Sequence, residues 1–283
     1  MQVVFSAEMK TLSYYKQNAL VLLTTIYGAR ESANIINYWF EARLGLTRMD
    51  LFLKADEVFL FDSYEADLKA LTDRKPVQYV VGHAYFQGLK IGLNSATLIP
   101  RPETEELVSE VVKLIDATQA KRIIDLGTGS GCIALAIKSI RPDTEVLGFD
   151  NNPDAIDQAR RNADTLELDV NFIVADLFDY SFESADIIVS NPPYIPISEC
   201  EDMEEHVLAH EPGGALFVSD EQPLLFYDAI FALGKKILTN RVGWMVFEIH
   251  HLFGEEMRQL GVKYCAKEVK LIEDLQGKDR MLL

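Results

Sequence analysis

Asp125-Leu-Gly-Thr-Gly-Ser-Gly131 decides the reading of this chain. It leaves Arg122-Ile-Ile-Asp-Leu126, a short run rich in β-branched residues that reads as a strand. It opens onto Cys132 to Ile140, an apolar segment of helical character closed by Pro142. Glycines in such a turn let the backbone bend sharply and approach a ligand with no Cβ in the way. Strand, glycine turn and helix then recur in looser form. Glu145-Val-Leu-Gly-Phe149 reads as a strand, and Asn152-Pro153-Asp154 starts a helix to about Asp164, with asparagine as cap and proline at the first position. Val170 to Val174 and Ala185 to Ser190 are further strands, and a helix from about Pro223 to Leu238 precedes a strand from Val242 to Ile249. The alternation predicts an α/β fold, a mostly parallel sheet with helices on both faces. Ala266 to Ile272 and Arg280 to Leu283, separated by Gln276-Gly-Lys278, predict an antiparallel pair on its edge.

Upstream the character differs. Ile35, Trp39 and Ala42, with Ile36 and Phe40 beside them, fall at helical spacing, and Gly45 stands where a helix stops. Thr47-Arg-Met-Asp50 has the form of a capping box, and another helix is expected to start near Ser63 and end before Pro76. Tyr79-Val-Val81, Ala84-Tyr-Phe86 and Leu89-Lys-Ile-Gly-Leu93 read as β-type runs, with Gln87-Gly88 as a hairpin turn. Pro100-Arg-Pro102 then leads into the acidic run Glu103-Thr-Glu-Glu106, which suits a helix start because carboxylates favour the positive end of the helix dipole. The expected domains are a helical one over 1–73, a hairpin linker over 74–98 and the α/β domain over 99–283.

At 283 residues the chain has room for two domains. Its best apolar run, Ala19-Leu-Val-Leu-Leu23, falls far short of the ~20 residues that cross a bilayer. With no leader pattern at its start, a cytoplasmic, non-membrane protein is expected. Cys132, Cys200 and Cys265 are scattered and odd in number, which argues against a disulfide framework or structural zinc. A net charge of −17 without a Lys/Arg cluster disfavours nucleic acid as the main partner. His206 and His210 are four apart, but without an internal Glu their spacing is not read as a metal site, and none is expected. A monomer is the default.

Three strand ends carry the chemistry. A doubly wound sheet binds ligands beyond its carboxyl ends, near the point where strand order reverses. Asp150 follows the second strand, 21 positions after Gly129, where a carboxylate can accept hydrogen bonds from both hydroxyls of a ribose. Asp176 closes the third strand and is placed to meet an adenine edge, with Leu177 packing on its face. A nucleoside-bearing cofactor is therefore expected. Asn191-Pro-Pro-Tyr194 follows the fourth strand, and its two prolines fix φ and remove two donors. The Asn191 oxygen and the Pro192 carbonyl can then accept both hydrogens of an NH₂ group, while Tyr194 offers a face to a planar amide or base. Two fixed acceptors of this kind favour pyramidalisation of a delocalised nitrogen toward an electrophile; such orientation contributes ~7 kcal/mol or more without a strong base.

The chain resembles the release factor glutamine methyltransferases, which use S-adenosylmethionine on a Rossmann-like class I methyltransferase sheet. The resemblance rests on Pro76-Val-Gln-Tyr79, Leu98-Ile-Pro-Arg-Pro-Glu-Thr-Glu105, Asp125 to Leu135, Val189-Ser-Asn-Pro-Pro-Tyr-Ile195, Glu211-Pro212 with Ala215-Leu216, and Asp274 to Arg280. It implies methyl transfer to the side-chain amide nitrogen of the glutamine in the Gly-Gly-Gln motif of class I peptide chain release factors. Gly127, Thr128, Gly129, Ser130, Gly131, Asp150, Asp176, Leu177 and Asn191 would meet the cofactor. Asn191, Pro192, Pro193 and Tyr194 would hold the glutamine, with Arg101 and Glu103 near the site and the N-terminal helices engaging the protein substrate. One departure stands out: where the family often has a glycine and then a glutamine, this chain reads Ile249-His-His-Leu-Phe-Gly254. The glycine turn and N-P-P-Y alone would equally fit a nucleic-acid amino methyltransferase, and a non-catalytic protein-binding module is the alternative outside the enzymes.

Overall fold

The computed structural model describes residues 9–238, 243–274 and 277–283. The chain divides into two compact units, Met1–Gly82 and His83–Leu283.

The first unit is built on helix Leu12–Leu44, capped by the Thr11 hydroxyl and interrupted at Gly28, where φ 76° and ψ 165° leave helical geometry. Gly45 ends it in the left-handed region. The capping box forms in full, with Thr47 and Asp50 each accepting from the other's backbone N–H at the start of helix Arg48–Leu53. Helix Tyr64–Thr72 brings Tyr64 parallel to Trp39, ring centroids 5.2 Å apart. The indole N–H of Trp39 donates to Asp67, which also accepts from Arg43 and Ser63, so this buried carboxylate has its lone pairs filled. Tyr79-Val-Val81 is not a strand but part of helix Val77–Val81. Pro76 presets the first turn, Gly82 closes the last at φ 83°, and Val77 and Val81, four apart, bury one face in the core of this unit. Burial on one face outweighs the β preference of three valines.

The second unit opens with the hairpin His83–Phe86 and Leu89–Gly92. Gln87 and Gly88 both have positive φ, as a two-residue turn matching strand twist demands. The main sheet has seven strands in the spatial order Leu271–Glu273, Asp279–Leu282, Trp244–Glu248, Ile187–Ser190, Arg122–Leu126, Glu145–Asp150 and Asn171–Val174. The last five run parallel to one another. The expected antiparallel pair forms, but the antiparallel strand is Asp279–Leu282, one place in from the edge, between Trp244–Glu248 and Leu271–Glu273. The strand expected from Val242 begins at Trp244, Val242 lying outside the described residues, as does Gln276 of the expected turn.

Packing explains one glycine of the strands. A Cβ on Gly148 would lie 2.5 Å from the Phe172 ring and 2.8 Å from Thr128 Oγ1. Phe172 thus fills the space under the glycine turn. Ile123, Ile124, Val146, Ile187, Ile188 and Val246 are buried on the two faces of the sheet, and each side chain of this size contributes ~1.5–3 kcal/mol by leaving water. Strand order reverses between Arg122–Leu126 and Ile187–Ser190, where Leu126 and Ser190 are register partners. Gly127 and Asn191 therefore leave the sheet side by side. Ser190 Oγ donates to the Leu126 carbonyl at 2.7 Å and ties the two exits together.

Candidate active site

Beyond these exits lies a cavity of about 490 Å³ in the second unit. Of the residues singled out in the sequence, Gly127, Thr128, Gly129, Ser130, Asp150, Asp176, Leu177, Asn191, Pro192, Pro193 and Arg101 line it. Gly131, Glu103 and Tyr194 do not line it. Gly131 caps helix Cys132–Ile140 at φ 81°, and Glu103 sits in the first turn of helix Pro102–Thr118.

The glycine turn is held by its own backbone. Gly127 and Thr128 N–H both donate to the Phe149 carbonyl, and Gly131 N–H donates to that of Thr128. Gly127 and Gly129 have φ of 73° and 54°, and a Cβ on either would meet no protein atom within 4 Å. The missing side chains leave open space on the ligand side. Asp150 accepts Gly129 N–H on Oδ2 at 2.9 Å and Asn152 N–H on Oδ1 at 3.0 Å, which fixes its carboxylate at the cavity wall. Burial pushes its pKa up, and the same backbone donors pull it back. Asp125 is wholly buried behind the turn and accepts the Thr128 hydroxyl at 2.6 Å; burial pushes its carboxyl up to about 7. The Cys132 thiol, likewise raised by burial to about 12, offers no thiolate.

Apolar side chains form much of the remaining wall. Phe149, Leu177, Phe178, Phe182, Phe226 and Ile230 all reach it. The sequence marks only Leu177 among them. Phe226 and Ile230 come from helix Leu225–Ile237, about fifty positions further along, and no local pattern distinguishes them from core.

Asn191 meets the cavity from the other exit. Its Nδ2 donates to Thr104 Oγ1 at 3.3 Å, and Thr104 donates to Glu248 Oε2 at 2.7 Å. The Tyr194 hydroxyl donates to Glu248 Oε1 at 2.9 Å. Burial first, and then the Glu248 charge, hold the phenol well above its usual pKa, so it is a donor. Arg101 pairs with buried Glu211 at 2.6 Å, and Glu211 Oε2 also accepts Ile99 N–H. This joins Ile99-Pro-Arg101 to the loop whose Pro212, Gly214 and Ala215 reach the cavity. Thr104, Glu211 and Glu248 were not singled out for roles in the sequence. The first two lie within motifs that carry the family resemblance; Glu248 has no signal beyond ending a strand. His250 is buried, with Nε2 3.1 Å from Glu199 Oε2 and Nδ1 accepting Leu252 N–H, which assigns the proton to Nε2. Among the described residues, no three His, Cys, Asp or Glu side chains converge as a metal site would require, and no helix is long and apolar enough to cross a membrane.

The donor set fits a nucleoside. Open space at Gly127 and Gly129, the fixed Asp150 carboxylate and the apolar wall occupy adjoining parts of one cavity. With the strand order and the Asn191 loop, they define an S-adenosylmethionine-dependent methyltransferase on a Rossmann-like sheet. A family model described as methyltransferase small domain matches residues 104–217. The fold is shared with the solved human methyltransferase 10 domain containing protein, at a TM-score of 0.51 and 18% identity over 69% of this chain and 86% of that one. Curated relatives narrow the class. The release factor glutamine methyltransferase of Flavobacterium psychrophilum is 38% identical over 95% of this chain and 96% of its own length. That of Bacteroides thetaiotaomicron is 39% identical, covering 84% and 87%. The chain belongs to the release factor glutamine methyltransferases.

Proposed function

We propose that this enzyme transfers a methyl group from S-adenosylmethionine to the side-chain amide nitrogen of the glutamine in the Gly-Gly-Gln motif of class I peptide chain release factors. The observation that carries the reading is the side-by-side exit of Gly127 and Asn191 onto one cavity, which supports reading the glycine turn as a cofactor cradle and Asn191 as an amide acceptor. The names of the relatives supply the substrate class.

When bound, the cofactor supplies an electrophilic methyl group on a sulfonium centre. The chain supplies orientation. Asp150 would accept the ribose hydroxyls, the wall from Phe149 to Ile230 would receive the base with Asp176 and Leu177 at its edge, and Thr128, Ser130 and the glycine backbone would hold the tail. Asn191 Oδ1 and the Pro192 carbonyl accept the two amide N–H bonds of the glutamine. Pro193 keeps the loop rigid, and Tyr194 anchors it through its hydroxyl to Glu248. Held this way, the nitrogen would be aimed at the methyl group with both N–H bonds engaged, and the one proton it loses on transfer would pass from its acceptor to solvent. Arg101, fixed by Glu211, and Glu103 flank the entry for the substrate peptide, and the first unit engages the body of the release factor. The net charge of −17 supports a protein rather than a nucleic-acid partner. A cytoplasmic monomer is the setting that fits such a substrate.

Incubation with cofactor and a class I release factor, followed by peptide mapping in a mass spectrometer, is expected to show one added methyl on that glutamine. Folded, cofactor-bound protein that leaves the glutamine unmodified, or that methylates RNA or DNA instead, would overturn the reading.

A further inference from the structure

Thr104 has no part in the mechanism so far and Glu248 only anchors Tyr194, yet they determine what Asn191 can do. Glu248 ends its strand at 2% exposure. Three hydroxyls converge on it: Thr104 on Oε2 at 2.7 Å, Tyr194 on Oε1 at 2.9 Å, and Tyr227 on the backbone carbonyl at 2.8 Å. A carboxylate can only accept, so the Thr104 proton points at it. Thr104 is itself buried in the first turn of its helix. With its one proton engaged, Oγ1 faces Asn191 solely as an acceptor, and the Asn191 group that it meets is Nδ2.

A primary amide has two orientations related by a flip, one presenting oxygen and the other NH₂. Only the first can accept an N–H from a substrate amide. Since Nδ2 is held by Thr104, Oδ1 is the end left for the cavity that Asn191 lines. We propose that Glu248 and Thr104 are positioning residues, a one-way relay of hydrogen bonds that locks the Asn191 amide with its oxygen toward the substrate nitrogen. The inference rests on the reading of Asn191 as the acceptor for the glutamine amide.

The relay also accounts for a threonine among the prolines and acids of Ile99-Pro-Arg-Pro-Glu-Thr-Glu105. A hydroxyl is the smallest group that accepts from one partner while donating to another. Valine fills the same space and does neither.

The test compares T104V, T104S and N191A in the full chain, with methyl transfer to a release factor and cofactor affinity by calorimetry as readouts. T104V is expected to lower kcat by about tenfold or more, as loss of orientation does, while cofactor Kd stays within about twofold of wild type. T104S keeps the hydroxyl and is expected to recover most of the turnover. A packing role alone would instead track side-chain volume, sparing T104V and penalising T104S. Wild-type turnover in T104V with an inactive N191A overturns the relay alone; an active N191A overturns the underlying reading of the site. A measurement on the unmutated protein guards against a variant that fails to fold. The Asn191 side-chain NH₂ resonance, assigned by its loss in N191A, is expected to exchange slowly with solvent, and exchange at the rate of an exposed amide overturns the proposal.

Discussion

The Tyr194 hydroxyl donates to Glu248 Oε1 at 2.9 Å across 54 positions of sequence, and Glu248 is almost wholly buried. The N-P-P-Y loop is thereby pinned to the end of a strand other than the one it leaves. Tyr194→Phe keeps the ring and removes one of the two hydroxyls that satisfy the carboxylate. A hydrogen bond to a charged, buried acceptor contributes ~1.5–3 kcal/mol, so chemical denaturation should show a loss of that size. Cofactor affinity should not change, since Tyr194 does not line the cavity. Unaltered stability would mean the bond is not formed in solution.

Gly127 and Gly131 belong to the same turn but fail differently when substituted. Both have positive φ, so alanine is strained at either position. At Gly131 a Cβ would also lie 2.8 Å from Phe172 Cζ and 3.1 Å from Ala159 Cβ, against buried groups with no room to yield. At Gly127 it meets no protein atom within 4 Å and projects where a ligand would lie. Gly131→Ala should therefore lose several degrees of Tm beyond Gly127→Ala. Gly127→Ala should lose cofactor affinity by ~10-fold or more, a cost of ~1.4 kcal/mol or more. Calorimetry and a thermal melt on both variants separate the two, and the reverse ranking would mean the turn faces the other way.

The parallel strands, the caps at Thr47 and Asn152 and the helix start at Pro102 were legible because each depends on residues within a few positions of one another. So were the glycine turn and Asp150, whose hydrogen bond to Gly129 follows once two neighbouring strands are parallel. Helix Val77–Val81 was misread because its residues favour strand locally and only the core of the first unit reveals which face they bury. The insertion of Asp279–Leu282 inside the sheet edge is likewise a pairing choice between distant segments. Thr104 and Glu248 meet across 144 positions, and Arg101 and Glu211 across 110. A lone threonine or glutamate has no periodicity to betray such a partner. Contiguous motifs that reach the cavity could be read, and the distant hydrogen bonds behind them could not.

Asp125 gives the protein a pH dependence of defined sign. Burial raises its carboxyl from 3.8 to about 7. Between these values the folded state holds a proton that the unfolded state releases, so stability falls as pH rises. This contribution is fully present below about pH 4 and is lost by the time pH passes through about 7, with roughly 4 kcal/mol as its upper bound. Asn cannot ionise, so Asp125→Asn lacks the term. Unfolding free energies of both proteins at pH 5 and pH 7.5 should therefore shift in favour of the variant at the higher pH. A constant difference across that range would show that Asp125 ionises normally in the fold.

Asp67 offers a test of what the first unit does. Asp67 is 6% exposed and accepts from Trp39, Arg43 and Ser63. Replacing Asp67 by alanine leaves the buried Trp39 N–H and the partly exposed Arg43 without that acceptor and costs ~1–3 kcal/mol, a large share of what a small unit has. The chain has two tryptophans, Trp39 in the first unit and Trp244 in the second. In a Trp244→Phe background, Trp39 fluorescence therefore reports the first unit alone. Adding Asp67→Ala should lower the temperature at which that signal is lost, while cofactor affinity, on the reading that the second-unit cavity holds the cofactor, stays within about twofold. If the helices engage the release factor, methylation should disappear at the temperature where Trp39 melts, with cofactor still bound. Methyl transfer that persists above that temperature would assign substrate recognition to the second unit.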